Sequence, residues 1–407
     1  MQAALDGIRI VDLTEWMYGS LGIRYLADMG ADVIKVESLQ GDPSRDLKAV
    51  RGRTQKKLPD CKWNYYFECN NRNKRGVALD IKAEDGRQIL YKLVEAADVF
   101  ATTYDMRTLR ELGLDYDSLS KVNGKLIYAR SSGWGPNGPD VDKPVLDALT
   151  EARAGNMSRI GEPGQPPVYT ATGEPTAAID LAYATMMALF HRLRSGEGQE
   201  VDVSLFGGNI LFENYNLEVY MGTEAEVLAS QIARKAAGNP LFNMYPTKDR
   251  WVYMCMMQTD RWWPNLAKAM EKPELAADPR FESHQKMCGG SRSDVINILD
   301  EVLPAKTAEE WFGEDVRKEI ELIVTPINSY ADLYDDPQAS DNDYIVEYEH
   351  PSFGKMKLMG FPAQFTETPP TIKIPAPKLG EHTQEILAEL GYSRDDVGEF
   401  IERKIVL

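Results

Sequence analysis

The densest group of basic side chains in this sequence lies in the segment Asn70–Arg75 and consists of Arg72, Lys74 and Arg75. Arginine and lysine form charge-assisted hydrogen bonds with phosphate, so this spacing is typical of a site for a phosphorylated ligand. A solvated basic face would have the same composition. Because the formal net charge is −17, an anionic ligand needs a local patch of this kind.

Glu174 is the other candidate, because it directly precedes the longest helical signal of the sequence, Pro175–Arg194. Proline suits the first position of a helix, so the sequence predicts Glu174 at the N-cap. The helix dipole and the free amide groups stabilise a carboxylate there by about 0.3–1 kcal/mol. An ordinary acidic residue at a helix start would look the same, so the motif alone leaves its role open.

Composition argues against several classes of function. The excess of 63 acidic over 46 basic residues disfavours nucleic-acid and anionic-membrane partners. No apolar run reaches the roughly 18 residues of a membrane span, and no leader opens the sequence, so we expect a cytoplasmic protein. The four cysteines form no CxxC pair and have no histidine at zinc-ligand spacing, which predicts reduced core thiols and no metal site.

The elements that must position these residues alternate between strand and helix. Ile8–Leu13 and Asp32–Glu37 predict strands on either side of a helix over Gly19–Met29. The alternation continues through a helix over Gly86–Ala97, a strand over Asp98–Thr102, a helix over Leu109–Leu119, and strands over Leu126–Ala129 and Glu200–Leu205. This order predicts a doubly wound α/β domain with a parallel sheet. The usual dinucleotide motif GxGxxG is missing after the first strand.

Six motifs follow one another along almost the whole sequence. They are Leu5–Glu37, Gly41–Arg45, Asn70–Arg75 with Leu79-Asp80, Ser132–Gly135 with Gly138-Pro139, Arg194–Gln199 and Leu379–Thr383. Each motif alone is weak, but in this order and at these spacings they are highly specific. Together they resemble the family III CoA-transferases, enzymes that move CoA between a thioester and a free carboxylic acid.

The resemblance implies a particular architecture. We expect a Rossmann-like large α/β domain built from residues 1–220 and a C-terminal return over residues 326–407. A smaller α+β domain is expected over residues 225–325. The resemblance also implies an interlocked dimer, which would be a homodimer or a heteromer with a homologous CoA-transferase subunit.

The same resemblance implies a covalent mechanism. A carboxylate attacks the thioester, an enzyme-bound CoA thioester forms, and the acceptor acid collects the CoA. Glu174 stands at the position of the family's catalytic Asp. Met17 stands where oxalate-type enzymes carry Gln, and Gly238-Asn239 stands at the place of a mobile glycine-rich loop that covers the intermediate.

CoA is expected as a substrate, and no other cofactor is expected. Tyr104 occupies the place of a family Phe beside CoA, which predicts that its ring stacks on adenine. The residues expected to contact the phosphates are Arg72, Lys74, Arg75, Arg107, Arg110 and Lys143. Lys74 and Arg75 are the ones that the family match favours.

Two alternatives remain open at this point. Glu replaces Asp at position 174, and this change beside Met17 suggests a catalytically impaired scaffold subunit of a heteromeric transferase. An α-methylacyl-CoA racemase shares the fold, but its histidine is missing, since Leu146-Asp147 occupies the place and the first histidine is His191. The donor is expected to be an acyl-CoA such as succinyl-CoA, and the acceptor an aromatic or a dicarboxylic acid.

Overall fold

The computed structural model describes residues 3–47, 49–50, 53–54, 57–58, 63–224 and 231–407. The chain forms two compact units. The first comprises residues 1–157, 169–218 and 338–407, and the second comprises residues 158–168 and 219–337. The second unit thus contains the predicted small-domain range and extends beyond it at both ends, while residues 225–230 lie outside the described residues.

The strands are short and spread over the chain. They are β1 Arg9–Leu13, β2 Asp32–Glu37, β3 Ala49–Val50, β4 Arg53–Thr54, β5 Lys57–Leu58, β6 Trp63–Asn64, β7 Lys74–Ala78, β8 Val99–Thr102, β9 Ile127–Ser132, β10 Gln199–Ser204, β11 Phe242–Pro246, β12 Trp251–Cys255, β13 Val324–Pro326, β14 Ile345–His350 and β15 Gly354–Met359.

The helices follow the same interleaved order. They are α1 Tyr18–Asp28, α2 Tyr65–Asn71, α3 Glu84–Glu95, α4 Met106–Leu112, α5 Tyr116–Val122, α6 Asp147–Ala154, α7 Asn156–Arg159, α8 Gly173–Ser195, α9 Leu205–Phe212, α10 Asn214–Thr223, α11 Thr259–Ala269, α12 His284–Cys288, α13 Arg292–Val302, α14 Ala308–Phe312, α15 Glu314–Glu319, α16 Tyr330–Tyr334, α17 Pro337–Asp341, α18 Thr383–Glu389 and α19 Arg394–Glu402.

A six-stranded sheet with the order β10-β9-β8-β1-β2-β7 forms the centre of the first unit. All of its neighbouring strands are parallel, as the sequence predicts. Parallel strands are covered on both faces, and here Val11 and Phe100 belong to the core on one face. On the other face Ile10 and Val99 share a core with Leu181 of α8. The loops that follow the strands therefore meet at one edge of the sheet.

The predicted single helix over residues 109–119 is wrong. The chain instead forms α4 and α5, which are separated at Gly113. Gly113 ends α4 with a left-handed φ of 70°, a conformation that glycine adopts without steric cost. Asp115 then caps α5 by accepting a hydrogen bond from Ser118 N at 3.2 Å. The stop and start signals override the apolar spacing that had suggested one continuous helix.

A buried ion pair holds the turn between β1 and α1. Lys35 Nζ lies 3.1 Å from Asp42 Oδ2, and both side chains are fully buried. Asp42 Oδ1 accepts from Trp16 N at 3.4 Å, and Thr103 Oγ1 accepts from Glu15 N at 2.8 Å. Trp16 has a φ of 62°, which is uncommon for a bulky residue and is fixed here by these contacts. The ion pair thus positions residues 15–17 at the edge of the sheet.

The second unit has its own core around a three-stranded antiparallel sheet, β11-β12-β13. Trp263, Phe281 and Trp311 are buried in this core. Among the described helices, none is long and apolar enough to cross a membrane. Cys69, Cys255 and Cys288 are free thiols, and Cys61 lies outside the described residues.

Candidate active site

Helix α8 begins two residues earlier than the sequence predicts. Thr172 is the N-cap, so Glu174 is the second residue of the helix and the predicted N-cap position of Glu174 is wrong. The shift follows from Gly173, because the side chains of Asp147 and Asn209 occupy the space where any Cβ on residue 173 would lie. Glycine allows the first turn of α8 to close against these two side chains, and the carboxyl of Glu174 follows directly.

The segment before α8 is held by the carboxylate of Glu151, a fully buried residue of α6. Its Oε1 accepts from Thr170 N at 2.7 Å and from Thr170 Oγ1 at 2.8 Å, and its Oε2 accepts from Ala171 N at 3.0 Å. Burial of a carboxylate is unfavourable unless its oxygens are hydrogen-bonded, and both oxygens are bonded here. These bonds hold Ala171 in a left-handed conformation, with φ 59°, immediately before the helix.

Glu174 itself is half-buried at the start of α8. Burial raises the pKa of Glu174 to about 7, and the negative charge of Asp147 adds to the increase. Such a carboxyl is close to half-ionised at neutral pH, and its anion is more basic than an ordinary glutamate. Strongly shifted carboxyl groups of this kind are typical of catalytic sites, where they serve as nucleophiles or proton carriers.

Asp147 and Glu174 form what we term the acidic pair. Asp147 is 7% exposed, and its Oδ2 accepts a hydrogen bond from Tyr169 Oη at 2.9 Å. The Asn209 side chain and the backbone N–H of Glu174 also stabilise the Asp147 carboxylate. Burial raises the pKa of Asp147 as well, although the hydrogen bond from Tyr169 opposes the increase. The charge of Asp147 therefore makes ionisation of Glu174 less favourable, and the charge of Glu151 makes ionisation of Asp147 less favourable.

The structure places Met17 beside the same helix. Its side chain packs against an apolar cluster that contains Tyr18, Ala177 and Ala178. Residues three and four positions apart share a helix face, so Glu174 lies on the face of α8 that Ala177 and Ala178 present to Met17. The role of Met17 in the lining of the active site stays a prediction.

A cavity of about 1490 Å³ extends along the edge of the sheet where the strands end. Four of the residues predicted to contact CoA line it together, namely Tyr104, Arg107, Arg110 and Lys143. Lys82 lies in the same lining, and Val145 brings it to the apolar cluster at Met17. The carboxylate of Glu15 fixes the Tyr104 ring, because its Oε1 accepts from Tyr104 Oη at 3.2 Å.

The other three predicted phosphate contacts have protein partners. Lys74 is fully buried, and its Nζ donates to Asp12 Oδ2 at 2.7 Å, to Ser20 O and to Asn71 Oδ1. Arg72 and Arg75 are engaged in the same way. Arg72 bonds to Asp28, and Arg75 bonds to Asp32, Glu385 and Glu389. None of the three lines the cavity, so their geometry does not support contact with a phosphate.

Gly238 and Asn239 lie in the second unit. The Asn239 amide holds its own loop, because Nδ2 donates to Met257 O at 3.0 Å and Oδ1 accepts from Leu241 N at 2.8 Å. A Cβ on Gly238 would meet no atom within 4 Å. The predicted role of Gly238 and Asn239 in lining the active site therefore stays a prediction.

Sequence analysis missed several residues of the site. Glu151 and Asp147 are four positions apart, a spacing that puts both on one face of α6, but a solvated acidic face would have the same spacing. Lys82 follows the end of β7 and carries no motif. No group of three or more His, Cys, Asp or Glu side chains is arranged to hold a metal ion within the ranges described above.

We expect Asp147→Asn to lower the pKa of Glu174 from about 7, because a neutral neighbour no longer opposes its ionisation. The pKa should stay above that of an ordinary glutamate, since Glu174 remains buried. Titration of the side-chain carboxyl ¹³C resonances by NMR, with Glu174→Gln to assign the signal, measures the shift.

Asp180→Asn is the matched control, because Asp180 is a half-buried acid on the same helix that does not contribute to the Glu174 shift. It should leave the titration of Glu174 unchanged. An unchanged titration in Asp147→Asn would show that the acidic pair is not coupled.

Comparison with known proteins identifies the family of this chain. Residues 5–383 match the family model described as CoA-transferase family III. The (R)-2-hydroxy-4-methylpentanoate CoA-transferase of Clostridioides difficile is 31% identical over 406 residues, which cover 99% of each chain. The succinyl-CoA–D-citramalate CoA-transferase of Chloroflexus aurantiacus is 30% identical over 416 residues, covering 99% of this chain and 98% of the relative.

A solved structure agrees with the fold. The crystal structure of a CAIB/BAIF family protein from Brucella suis matches with a TM-score of 0.84 at 26% identity, over 96% of this chain and 100% of that chain. The family match, the two relatives and this structure each extend over nearly the full sequence. This chain therefore belongs to CoA-transferase family III and is a CoA-transferase.

Proposed function

We propose that this chain transfers CoA from an acyl-CoA to a carboxylic acid, with the Glu174 carboxylate as the nucleophile. The observation that carries the proposal is the half-buried carboxyl at the start of α8, whose pKa is raised to about 7 beside Asp147. Succinyl-CoA is one candidate donor. An aromatic or a dicarboxylic acid is the acceptor class that the sequence motifs favour, and the acids named for the two relatives include both a branched hydroxy acid and citramalate.

The reaction proceeds through two anhydrides and one thioester. Glu174 attacks the acyl thioester carbonyl, which releases CoA thiolate and forms a mixed anhydride. The thiolate then attacks the glutamyl carbonyl and expels the donor acid, leaving CoA on Glu174. The acceptor carboxylate attacks this thioester and releases the thiolate again. A final attack of the thiolate on the acceptor acyl carbonyl gives the new acyl-CoA and restores Glu174.

The raised pKa of Glu174 suits the first step. Nucleophilicity rises with basicity, so the ionised form attacks the thioester more readily than an ordinary glutamate does. Glu151 and Gly173 fix the start of α8, which keeps the reacting oxygen in one place. A fixed geometry matters, because a displacement of about 1 Å can cost roughly a hundredfold in rate.

Incubation of the isolated chain with an acyl-CoA should leave a glutamyl-CoA thioester on Glu174. Borohydride or hydroxylamine followed by peptide mass spectrometry detects it. Glu174→Gln has the same shape and no nucleophilic oxygen anion, so it should form no adduct and lose roughly a thousandfold or more in kcat.

A scaffold subunit would give the opposite result. Full activity of Glu174→Gln, with the adduct on a different chain in the same complex, would move the chemistry to a homologous partner subunit.

The cavity supports a second part of the proposal, the binding of CoA. Arg110 and Lys82 line it and form no ion pair with any residue that the structure describes, so both can reach a phosphate. Arg107 and Lys143 also line it, and each has a nearby acid, Glu111 at 3.0 Å and Asp140 at 2.5 Å. The Tyr104 ring, fixed by Glu15, offers a face to the adenine. Arg72, Lys74 and Arg75 are left out of this proposal because carboxylates already bind them.

Arg110→Ala should weaken CoA binding about tenfold, since one charge-assisted hydrogen bond to phosphate is lost. Isothermal titration calorimetry of the chain with CoA measures the effect. Arg394→Ala is the control, because Arg394 is also exposed on a helix but does not line the cavity. Equal affinities for CoA in both variants would remove Arg110 from the binding site.

The outer face of α8 supports the proposal of a dimer. Ile179, Tyr183, Phe190 and Leu193 lie along one side of this helix and are all more than half exposed. A continuous apolar face of this kind marks a protein–protein interface. A second copy of the chain, interlocked as in the resemblance, is the occupant that we propose, with a homologous subunit as the alternative.

Light scattering after size-exclusion chromatography should give about twice the chain mass of 45.7 kDa. Leu193→Asp should shift the protein towards the monomer, because it places a charge on the apolar face. A monomeric mass for the unmodified chain would contradict the homodimer and direct attention to a partner subunit.

A further inference from the structure

The chain between β9 and α6 includes a loop, residues 133–145, that forms one wall of the cavity proposed for CoA. The two ends of the loop lie together, because the side chain of Val145 fills the space that a Cβ on Gly133 would need. Between them the chain turns, and Lys143 N donates to Asp140 O at 2.9 Å. A surface loop with adjoining ends is a compact unit. Whatever holds this loop from outside the cavity therefore also sets the position of Lys143 in the cavity wall.

Arg153 of α6 holds this loop, and it is not one of the described residues that line the cavity. Its guanidinium forms an ion pair with Asp140 and lies 5.0 Å from the centre of the Trp134 ring and 5.3 Å from that of Phe206. Trp134 is in turn tied to the far end of the loop, since its Nε1 donates to Pro144 O at 3.4 Å. A planar guanidinium can bind a carboxylate and stack on a ring at the same time. Arg153 thus fixes the loop to α6 at two points.

Asp140 stands between two cations. Arg153 binds one of its carboxylate oxygens, and the Nζ of Lys143 lies 2.5 Å from the other. Hydrogen bonds from Lys143 and Arg153 lower the pKa of the Asp140 carboxyl, so it is ionised at neutral pH. The side chain of Asp140 is 13% exposed and that of Lys143 is 65% exposed, so the lysine can swing away while the carboxylate stays. Arg153 then still neutralises Asp140, and the charge of Lys143 becomes available to an anion in the cavity.

We propose that Arg153 is a positioning residue for CoA, which holds Asp140 and the loop and so frees Lys143 to bind a phosphate of CoA. The inference rests on the proposed binding of CoA in this cavity and adds a residue outside the cavity. Without Arg153, Asp140 would compete with the phosphate for Lys143, and its charge would repel the phosphate. The residue at position 153 therefore decides whether Lys143 is a phosphate ligand or a counterion of Asp140.

Calorimetric titration of the chain with CoA tests this role. Arg153→Gln should weaken binding about five- to tenfold, because Asp140 then keeps Lys143 from the phosphate. It should raise the KM for an acyl-CoA more than it lowers kcat, because Arg153 acts on binding and not on the reacting carboxyl. Arg153→Lys keeps the charge without the planar stacking group and should give an intermediate affinity. Arg394→Gln is the control, since Arg394 is exposed on a helix outside the cavity lining, and it should bind CoA like the unmodified chain.

A double-mutant cycle separates this role from a general loss of positive charge. Asp140→Asn should change the affinity for CoA by less than about twofold when Arg153 is present, but should restore most of the affinity that Arg153→Gln loses. In a chain that carries Lys143→Met, Arg153→Gln should have almost no further effect. Equal gains from Asp140→Asn with and without Arg153, or an undiminished loss from Arg153→Gln in the Lys143→Met chain, would overturn the proposal.

The unmodified chain distinguishes this inference from the proposed function. If it does not bind CoA, the proposed CoA site has failed, and the role of Arg153 fails with it. If it binds CoA and folded Arg153→Gln binds equally well, only the inference about Arg153 has failed. Circular dichroism checks the folding of each variant. Arg153→Met, which keeps an unbranched side chain against the two rings, carries the same expectations if Arg153→Gln does not fold.

Discussion

The hydrogen bonds between the buried Glu151 carboxylate and the amides of residues 170 and 171 are the constraint on which the site depends. They turn the chain into the left-handed conformation at Ala171, and that turn brings Gly173 against Asp147 and Asn209. Only a glycine fits there, and α8 begins at this residue. The position of Glu174 thus depends on the buried carboxylate of Glu151.

The periodicity of apolar residues predicted the strands of the central sheet and the order in which strands and helices alternate. The parallel sheet follows from buried runs such as Asp32–Glu37, which alternate with amphipathic helices. Tyr104, Arg107 and Lys143 lie in one cavity because they follow strands whose ends share an edge of the sheet. A sequence with strand and helix periodicity is enough to place such residues near one another.

Long-range pairing decided the features that the sequence could not predict. Lys74 lies in a basic segment of the kind that binds phosphate. In the structure, however, its ammonium is bound inside the core by Asp12, which is 62 positions away in the sequence. Burial lowers the pKa of Lys74 to about 8, while Asp12 favours the charged form, and removal of either partner would leave an uncompensated buried charge. Nothing in the segment around Lys74 identifies Asp12 as its partner. A basic cluster on the sequence is therefore weaker support for a binding site than a basic cluster on a cavity wall.

In place of the aspartate that the family resemblance implies, this chain carries Glu174, and its surroundings give that difference a chemical consequence. The extra methylene extends the carboxyl by about 1.5 Å, roughly the length of one C–C bond, from the helix start. In this chain burial raises the pKa of the carboxyl to about 7, and the negative charge of Asp147 adds to the increase. A more basic carboxylate is a better nucleophile, so the burial that raises the pKa of Glu174 supports its proposed role in the transfer. A change at Asp147 would therefore alter the basicity of Glu174 only in part, because burial contributes more than the charge of Asp147.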